Sequence, residues 1–180
     1  MKTLFCILAF FFISIPANAL YFLDLPISHN REATIKALES LHFHKVPVQL
    51  SDGTQGFYET EGLTKLFGKF QEEWCYLTLF HTSNSNIISG VWLEKDSFED
   101  WESLLKLRAT ISDIIESELS SPSFFCNTMD MDKEQKEVMD ARFGDEKHPT
   151  VYSMWIFADL HLELIADVDN LTLKVECLYK

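Results

Sequence analysis

Apolar positions along this chain follow two different periods, and the change from one to the other marks its elements. Ile35, Leu38 and Leu41 recur at helical spacing with Ala33 and Ala37 beside them, while Arg31, Glu32, Lys36 and Glu39 take the polar positions. Ser28 or Asn30 supplies a cap, and the helix is expected to run to about His42 and to end before Pro47. A turn at Ser51-Asp52-Gly53 leads to a short strand over 57–60 and a segment near 63–70. Alternation then predicts two strands, 75–81 and 87–94, joined by the turn-forming run Thr82-Ser83-Asn84-Ser85-Asn86.

The second block opens on the longest helical pattern. Ser97 followed by Asp100 resembles a capping box, and Glu99, Asp100 and Glu102 complement the positive end of the helix dipole. Trp101, Leu104, Leu105, Ile111, Ile114, Ile115 and Leu119 form the apolar stripe, and Pro122 stops it. A polar stretch over 127–149 reads as an excursion with a short surface helix in its middle. Three further strands are expected at 150–158, 161–167 and 171–179, the last two joined by a tight turn at Val168-Asp169-Asn170.

Helices and strands come in runs with short strand connections rather than in strict alternation. That order predicts an α+β fold of two layers, an antiparallel sheet with both helices packed on one face. The two blocks share the layout α-β-β-β, which reads as a pair of tandem units.

Residues 1–19 stand apart from this pattern. Lys2 gives a short positive start, Leu4 to Ile15 is apolar but for Ser14, Pro16 breaks the run, and Ala17-Asn18-Ala19 places small residues before a cleavage point. The run is too short to span a bilayer, so it reads as a secretory signal peptide cut after Ala19. What remains, 20–180, has the length of one ordinary domain, with no transmembrane segment expected in it.

Charge and cysteine content narrow the function classes. The chain carries 28 acidic and 15 basic residues, a net charge of −13. The leader would remove Lys2 alone, so an exported chain is one charge more negative. Such a surface repels phosphate backbones, which argues against nucleic acid and anionic membrane as partners. Beyond the leader, Cys75, Cys126 and Cys177 remain, an odd number in a compartment that permits disulfides. Cys75 shares parity with Leu77 and Leu79, and Cys177 with Leu173 and Val175, so both are expected in the core. They can pair if their strands are neighbours or stay as two buried thiols. There is no CxxC motif for a redox or zinc site.

Strand parity also selects a candidate binding face. Burying Cys75, Leu77 and Leu79 sends Tyr76, Thr78 and Phe80 to the opposite side. Burying Ile87, Val91 and Leu93 sends Ile88 and Trp92 there, and Glu163, Lys174 and Glu176 join them. If helices cover only the core face, this side mixes large aromatics with charges. The alternative is that these aromatics pack under the polar stretch 127–149 or form a second small core.

Motifs for chemistry are few. His42 and His44 would share a side if extended, but no third ligand is near in sequence, and a helix end with solvated side chains is the simpler reading. His161 and Glu163 share a strand face, where alternation displays polar residues anyway. Met129-Asp130-Met131-Asp132-Lys133-Glu134 lacks the glycine and distal ligand spacing of a calcium loop. Neither a GxSxG nor a phosphate-binding glycine loop occurs, and no cofactor is expected.

Leu23 to Ile27, Ser28 to Asn30 and Leu38 to Phe43 fill an extended apolar-x-x-Pro-apolar segment, a capped turn and a helix exit. Together with "CYLTLF", "GVWLEKDSFEDWESLLKLRATISDIIE" and the terminal "LTLKVECLY", they resemble a group of exported bacterial proteins of unknown function. His42 stands where that pattern usually has glycine. The layout is similar to folds built like the beta-lactamase inhibitory protein, with tandem helix-plus-sheet units. The resemblance implies a protein that binds other proteins or assists envelope assembly. Two function classes follow. The first is a non-enzymatic exported binding domain, its partner another protein, using the open sheet face or an edge. The second is a periplasmic hydrolase or metal-dependent enzyme with a site assembled from dispersed His and carboxylate groups.

Overall fold

The structure, a computed structural model, describes residues 19–20, 22–60, 62–82, 86–127 and 150–180. Most of the expected leader and nearly all of the polar stretch, 128–149, lie outside the described residues.

Two short strands, β1 (Ala19–Leu20) and β2 (Ile27–Ser28), pair with each other ahead of helix α1 (Arg31–Ser40). Asn30 is the cap: its Oδ1 accepts from the Ala33 N–H at 2.9 Å, and Thr34, Ile35 and Leu38 are buried. The helix ends two residues before the expected His42, which adopts a left-handed backbone with φ of 64°. β3 (His44–Lys45) follows, then a hairpin of β4 (Pro47–Gln49) and β5 (Gln55–Phe57) that forms its own two-stranded sheet. The expected strand over 57–60 is therefore split, its second half being β6 (Glu59–Thr60).

Three long strands complete the first block: β7 (Leu63–Phe70), β8 (Glu73–His81) and β9 (Ile88–Lys95), paired in order as an antiparallel meander. Helix α2 (Trp101–Leu119) opens the second block, followed by β10 (Phe124–Asn127), β11 (Thr150–Ile156), β12 (Leu160–Asp167) and β13 (Thr172–Tyr179). The main sheet has nine strands in the order β10-β11-β12-β13-β9-β8-β7-β3, with β6 also on β7. All its pairings are antiparallel. Two helices with one large antiparallel sheet make the fold α+β, as the order of elements predicted.

One hydrophobic cluster unites the molecule. It takes Leu66 from β7, Cys75, Leu77 and Leu79 from β8, Val91 and Leu93 from β9, Val175 and Cys177 from β13, and Leu162 and Leu164 from β12. Leu38 of α1 and Leu104, Leu107, Ile111 and Ile115 of α2 belong to the same cluster. Gly68 is there for space. A Cβ on it would come within 2.6 Å of the Phe43 ring and 2.8 Å of the Phe43 Cα, so only glycine lets that buried ring lie against β7.

Several expectations are corrected. Ser97 is not the cap of α2; it has φ of 66°, and Asp100 Oδ1 accepts from the Ser103 N–H at 2.7 Å. Those hydrogen bonds hold the Asp100 carboxyl below its ordinary pKa. Trp101 opens the helix but is 52% exposed. The stripe turns instead through Leu107 and the buried Arg108. Nη2 of Arg108 donates to Ser153 Oγ at 2.6 Å, and burial pulls the guanidinium pKa down against the opposing influence of Glu116. On β9, Ile87 is 56% exposed and Ile88 is buried, the reverse of the expected parity. The register shifts between Phe80 and His81, where Ser89 is one residue extra on β9, a bulge that turns Ile88 inward.

This packing makes a graded prediction. Ile115→Ala or Leu104→Ala empties a fully buried site and is expected to cost about 2–5 kcal/mol, whereas Trp101→Ala, out in solvent, is expected to cost less than about 1 kcal/mol. Urea melts of the three variants check this, and equal losses would mean that α2 is not docked through Leu104 and Ile115.

Candidate functional site

The cross-strand registers place the candidate residues on one continuous side of the sheet. Thr78 of β8 lies opposite Trp92 of β9, Trp92 opposite Glu176 of β13, Glu176 opposite Glu163 of β12, and Glu163 opposite Met154 of β11. One row over, His44, Phe67, Tyr76, Glu94, Lys174, Ile165 and Tyr152 follow one another from β3 to β11. Tyr76, Thr78, Trp92, Glu163, Lys174 and Glu176 are thus brought together as two adjacent rows, all with the outward parity.

Aromatic rings and ammonium groups alternate across these rows. Lys174 Nζ sits 3.4 Å from the Trp92 ring centroid and 3.1 Å from Glu176 Oε2. Lys65 Nζ sits 4.4 Å from the Tyr76 centroid and 3.7 Å from Glu94 Oε2. Phe80 tilts against Trp92 at 4.5 Å, and Phe67 stacks on Trp74 at 5.0 Å and tilts against Tyr76 at 4.9 Å. Each cation therefore lies against a ring face, where the ring quadrupole attracts it. The indole N–H of Trp92 is buried without a hydrogen-bond partner.

Exposure is uneven over this side. Trp74 is 53% exposed, Tyr76 and Trp92 are half-buried, and Thr78 is buried beneath its neighbours. Toward β10 the side closes: Cys126, Tyr152 and Met154 form a second, separate buried cluster with Phe124 and Ile165 against it. That cluster contains none of Tyr76, Phe80 and Trp92, and the β7–β8–β9–β13 end keeps Trp74, Tyr76 and Trp92 partly in solvent. Leu178 lies over Gly90, where an added Cβ would meet its Cδ2 at 3.0 Å.

Other sequence candidates separate. His42 turns through its left-handed backbone, so it and His44 are not displayed as an extended pair; His44 pairs with Phe67 at the sheet end. Glu163 Oε1 stands 2.9 Å from His161 Nε2, an ion pair only when the ring is protonated. The same nitrogen makes no aligned hydrogen bond. We therefore read this as a charge contact rather than a hydrogen-bonded dyad. Among the described residues no three His, Cys, Asp or Glu side chains converge as a metal site. The run Met129 to Glu134 lies outside the described residues. Asn170 closes the β12–β13 turn, donating to both carboxylate oxygens of Asp167. A shallow recess at the β4–β5 hairpin, lined by Pro47, Val48, Gln49, Gly53 and Gln55, has no titratable group among its described lining residues.

Cys75 and Cys177 both face the core, as parity indicated, but β9 lies between their strands, and no disulfide joins them. Burial pushes both thiols up to about 12, with Lys95 opposing the rise at Cys75 and a Tyr179 hydrogen bond opposing it at Cys177. Cys126 is raised by burial as well.

The outward residues of β7, Lys65, Phe67 and Lys69, belong to this side and were missed. Their signal is in the sequence: Leu63, Lys65, Phe67 and Lys69 alternate with Thr64, Leu66, Gly68 and Phe70. Trp74 of β8 lies on the same side, two residues before Tyr76.

No protein-family model, curated protein or solved structure matches this chain.

The cysteine geometry generates a prediction. With their pKa values at about 12, Cys75 and Cys177 are almost wholly protonated at pH 8, and the thiolate is the reacting species. Iodoacetamide at pH 8 is expected to leave both unlabelled in the native chain and to label both in urea, as read by peptide mass spectrometry. Rapid native labelling of either one would contradict their burial.

Proposed function

We propose that this chain is an exported binding protein, not an enzyme, and that the sheet side carrying Tyr76, Trp92 and Lys174 docks another protein. The observation that carries this reading is the meeting of rings and charges from β7, β8, β9 and β13 on one side. The buried apolar side chains of both helices belong to the core cluster, so on this reading the helices cover the other face and leave these rings to a partner. Half-buried aromatics concentrate binding energy when a partner completes their burial. A contiguous apolar patch left in solvent is uncommon without such a role.

The two blocks read as tandem units. β7-β8-β9 and β11-β12-β13 are both meanders, and their last strands, β9 and β13, meet antiparallel in the middle of the sheet. A duplicated α-β-β-β unit closed about a local two-fold would have this strand order. β10 on one side and the β4–β5 hairpin on the other are then additions to each unit.

The face is tested by Tyr76→Ala and Trp92→Ala, with melting and partner capture measured on the same samples. Loss of capture with a melt lowered by no more than about 1 kcal/mol is the expected result. A large loss of stability with no separate capture defect would assign these rings to packing alone.

Export is tested separately, by N-terminal sequencing of the protein from the extracytoplasmic fraction. Leu20 is the expected first residue. A product retaining Met1 in the cytosol would sink the export proposal.

A further inference from the structure

The β12–β13 register sets Glu163 directly opposite Glu176, both with side chains about three-quarters buried. Like charges directly opposite across an antiparallel pair repel and weaken the sheet. The neighbours make the repulsion worse, because Trp92, Met154 and Ile165 flank the pair and offer no solvation. Internal compensation is incomplete. Lys174 reaches Glu176 at 3.1 Å but is also laid over the Trp92 ring. Glu163 meets only the His161 ring, charged only when protonated.

The other carboxylates on this side are provided for. Glu94 has Lys65, and Asp167 accepts two hydrogen bonds from Asn170. Among the described residues on this side, Glu163 alone has neither an ammonium nor a backbone donor. The two carboxylates therefore share one ammonium, Lys174 of the adjacent row, with the Trp92 indole next in line.

Resting on the binding-face reading, we infer that the docked protein is basic at this point, and that one of its arginine or lysine side chains inserts between Glu163 and Glu176 beside Trp92. Arginine suits the carboxylate pair better than lysine. Its planar fork can hydrogen-bond two carboxylates at once, and its weak hydration suits the apolar flanks. The net charge of −13 acts in the same sense at longer range, drawing a basic surface in and raising its rate of encounter. An acidic partner would add to the repulsion already present.

The test uses the isotope-labelled full chain, titrated by NMR with three capped tripeptides: Ac-Ala-Arg-Ala-NH2, Ac-Ala-Lys-Ala-NH2 and Ac-Ala-Glu-Ala-NH2. The arginine peptide is expected to give saturable shifts at the Glu163 and Glu176 amides and the Trp92 indole. The lysine peptide is expected to be weaker and the glutamate peptide silent. Glu163→Gln and Glu176→Gln are each expected to weaken the arginine peptide by about tenfold, the loss of a charge-assisted hydrogen bond. Glu163→Gln should melt at or above the parent temperature, since it removes the repulsion and breaks no ammonium pair. Arginine-dependent shifts that scatter over the acidic surface and ignore both substitutions would overturn the inference. Partner capture separates the two layers of the argument. A partner lost with Trp92→Ala but retained with Glu163→Gln would overturn the basic insertion and leave the binding face standing. Capture indifferent to both substitutions would remove the face itself.

Discussion

The pairing of β9 with β13 is the constraint on which the rest of the architecture depends. Six residue pairs, from Leu173 opposite Lys95 to Leu178 opposite Gly90, join two meanders that are otherwise built from neighbours in sequence. Without that seam each meander has an open edge at its last strand. With it, the inward residues Val91 and Leu93 meet Cys177 and Val175 in a single core. The same seam brings Trp92 from the first block against Lys174 and Glu176 from the second. The candidate face is therefore a product of the seam and exists in neither block alone.

Energy on the two sides of the sheet is of different kinds. Inward side chains are mostly apolar, aliphatic and thiol groups together with rings such as Phe70 and Trp155, and their burial is driven by apolar area. Outward side chains trade ring faces, ammonium groups and carboxylates at distances between 3 and 6 Å, where each contact is worth little in solvent and more as water is excluded. A side built this way contributes modestly to stability while the protein is alone. Its interactions strengthen when something dry covers it. Arg108 is a buried cation on the inward side, hydrogen-bonded to the Ser153 hydroxyl and set 5.5 Å from the Phe125 ring centroid, with its Nε unpartnered.

How far the sequence could be read depended on whether a local rule stayed unbroken. Strands β8, β12 and β13 keep strict alternation from end to end, so Tyr76, Thr78, Glu163, Lys174 and Glu176 fell on the correct side. β9 keeps it only beyond the bulge at Ser89, which is why Trp92 was placed correctly and Ile87 and Ile88 were exchanged. In α2 the apolar period marked the helix but not its first turn, where Trp101 stays half in solvent. Strand order is a different matter. Nothing in the spacing of Cys75 and Cys177 says that β9 will come between them, because neighbours in a sheet are chosen by the whole set of pairings. The contact of Glu163 with Glu176 was hidden for the same reason: it needs the register of one strand against another, not the pattern within either.

The three sealed thiols have a consequence for how the protein is lost rather than how it is held. While the chain is folded, burial keeps Cys75, Cys126 and Cys177 chemically quiet. Unfolding in an oxidising medium releases all three at once, and in a chain that has lost Cys6 with the proposed leader an odd set cannot be satisfied by pairing within one chain. One sulfur is left to cross-link a neighbouring molecule, and any intramolecular bridge between Cys75 and Cys177 forbids the native strand order, because β9 must lie between them. Each excursion to the unfolded state then risks becoming permanent. Under such conditions the lifetime of the protein is set by its rate of unfolding and not by its equilibrium stability.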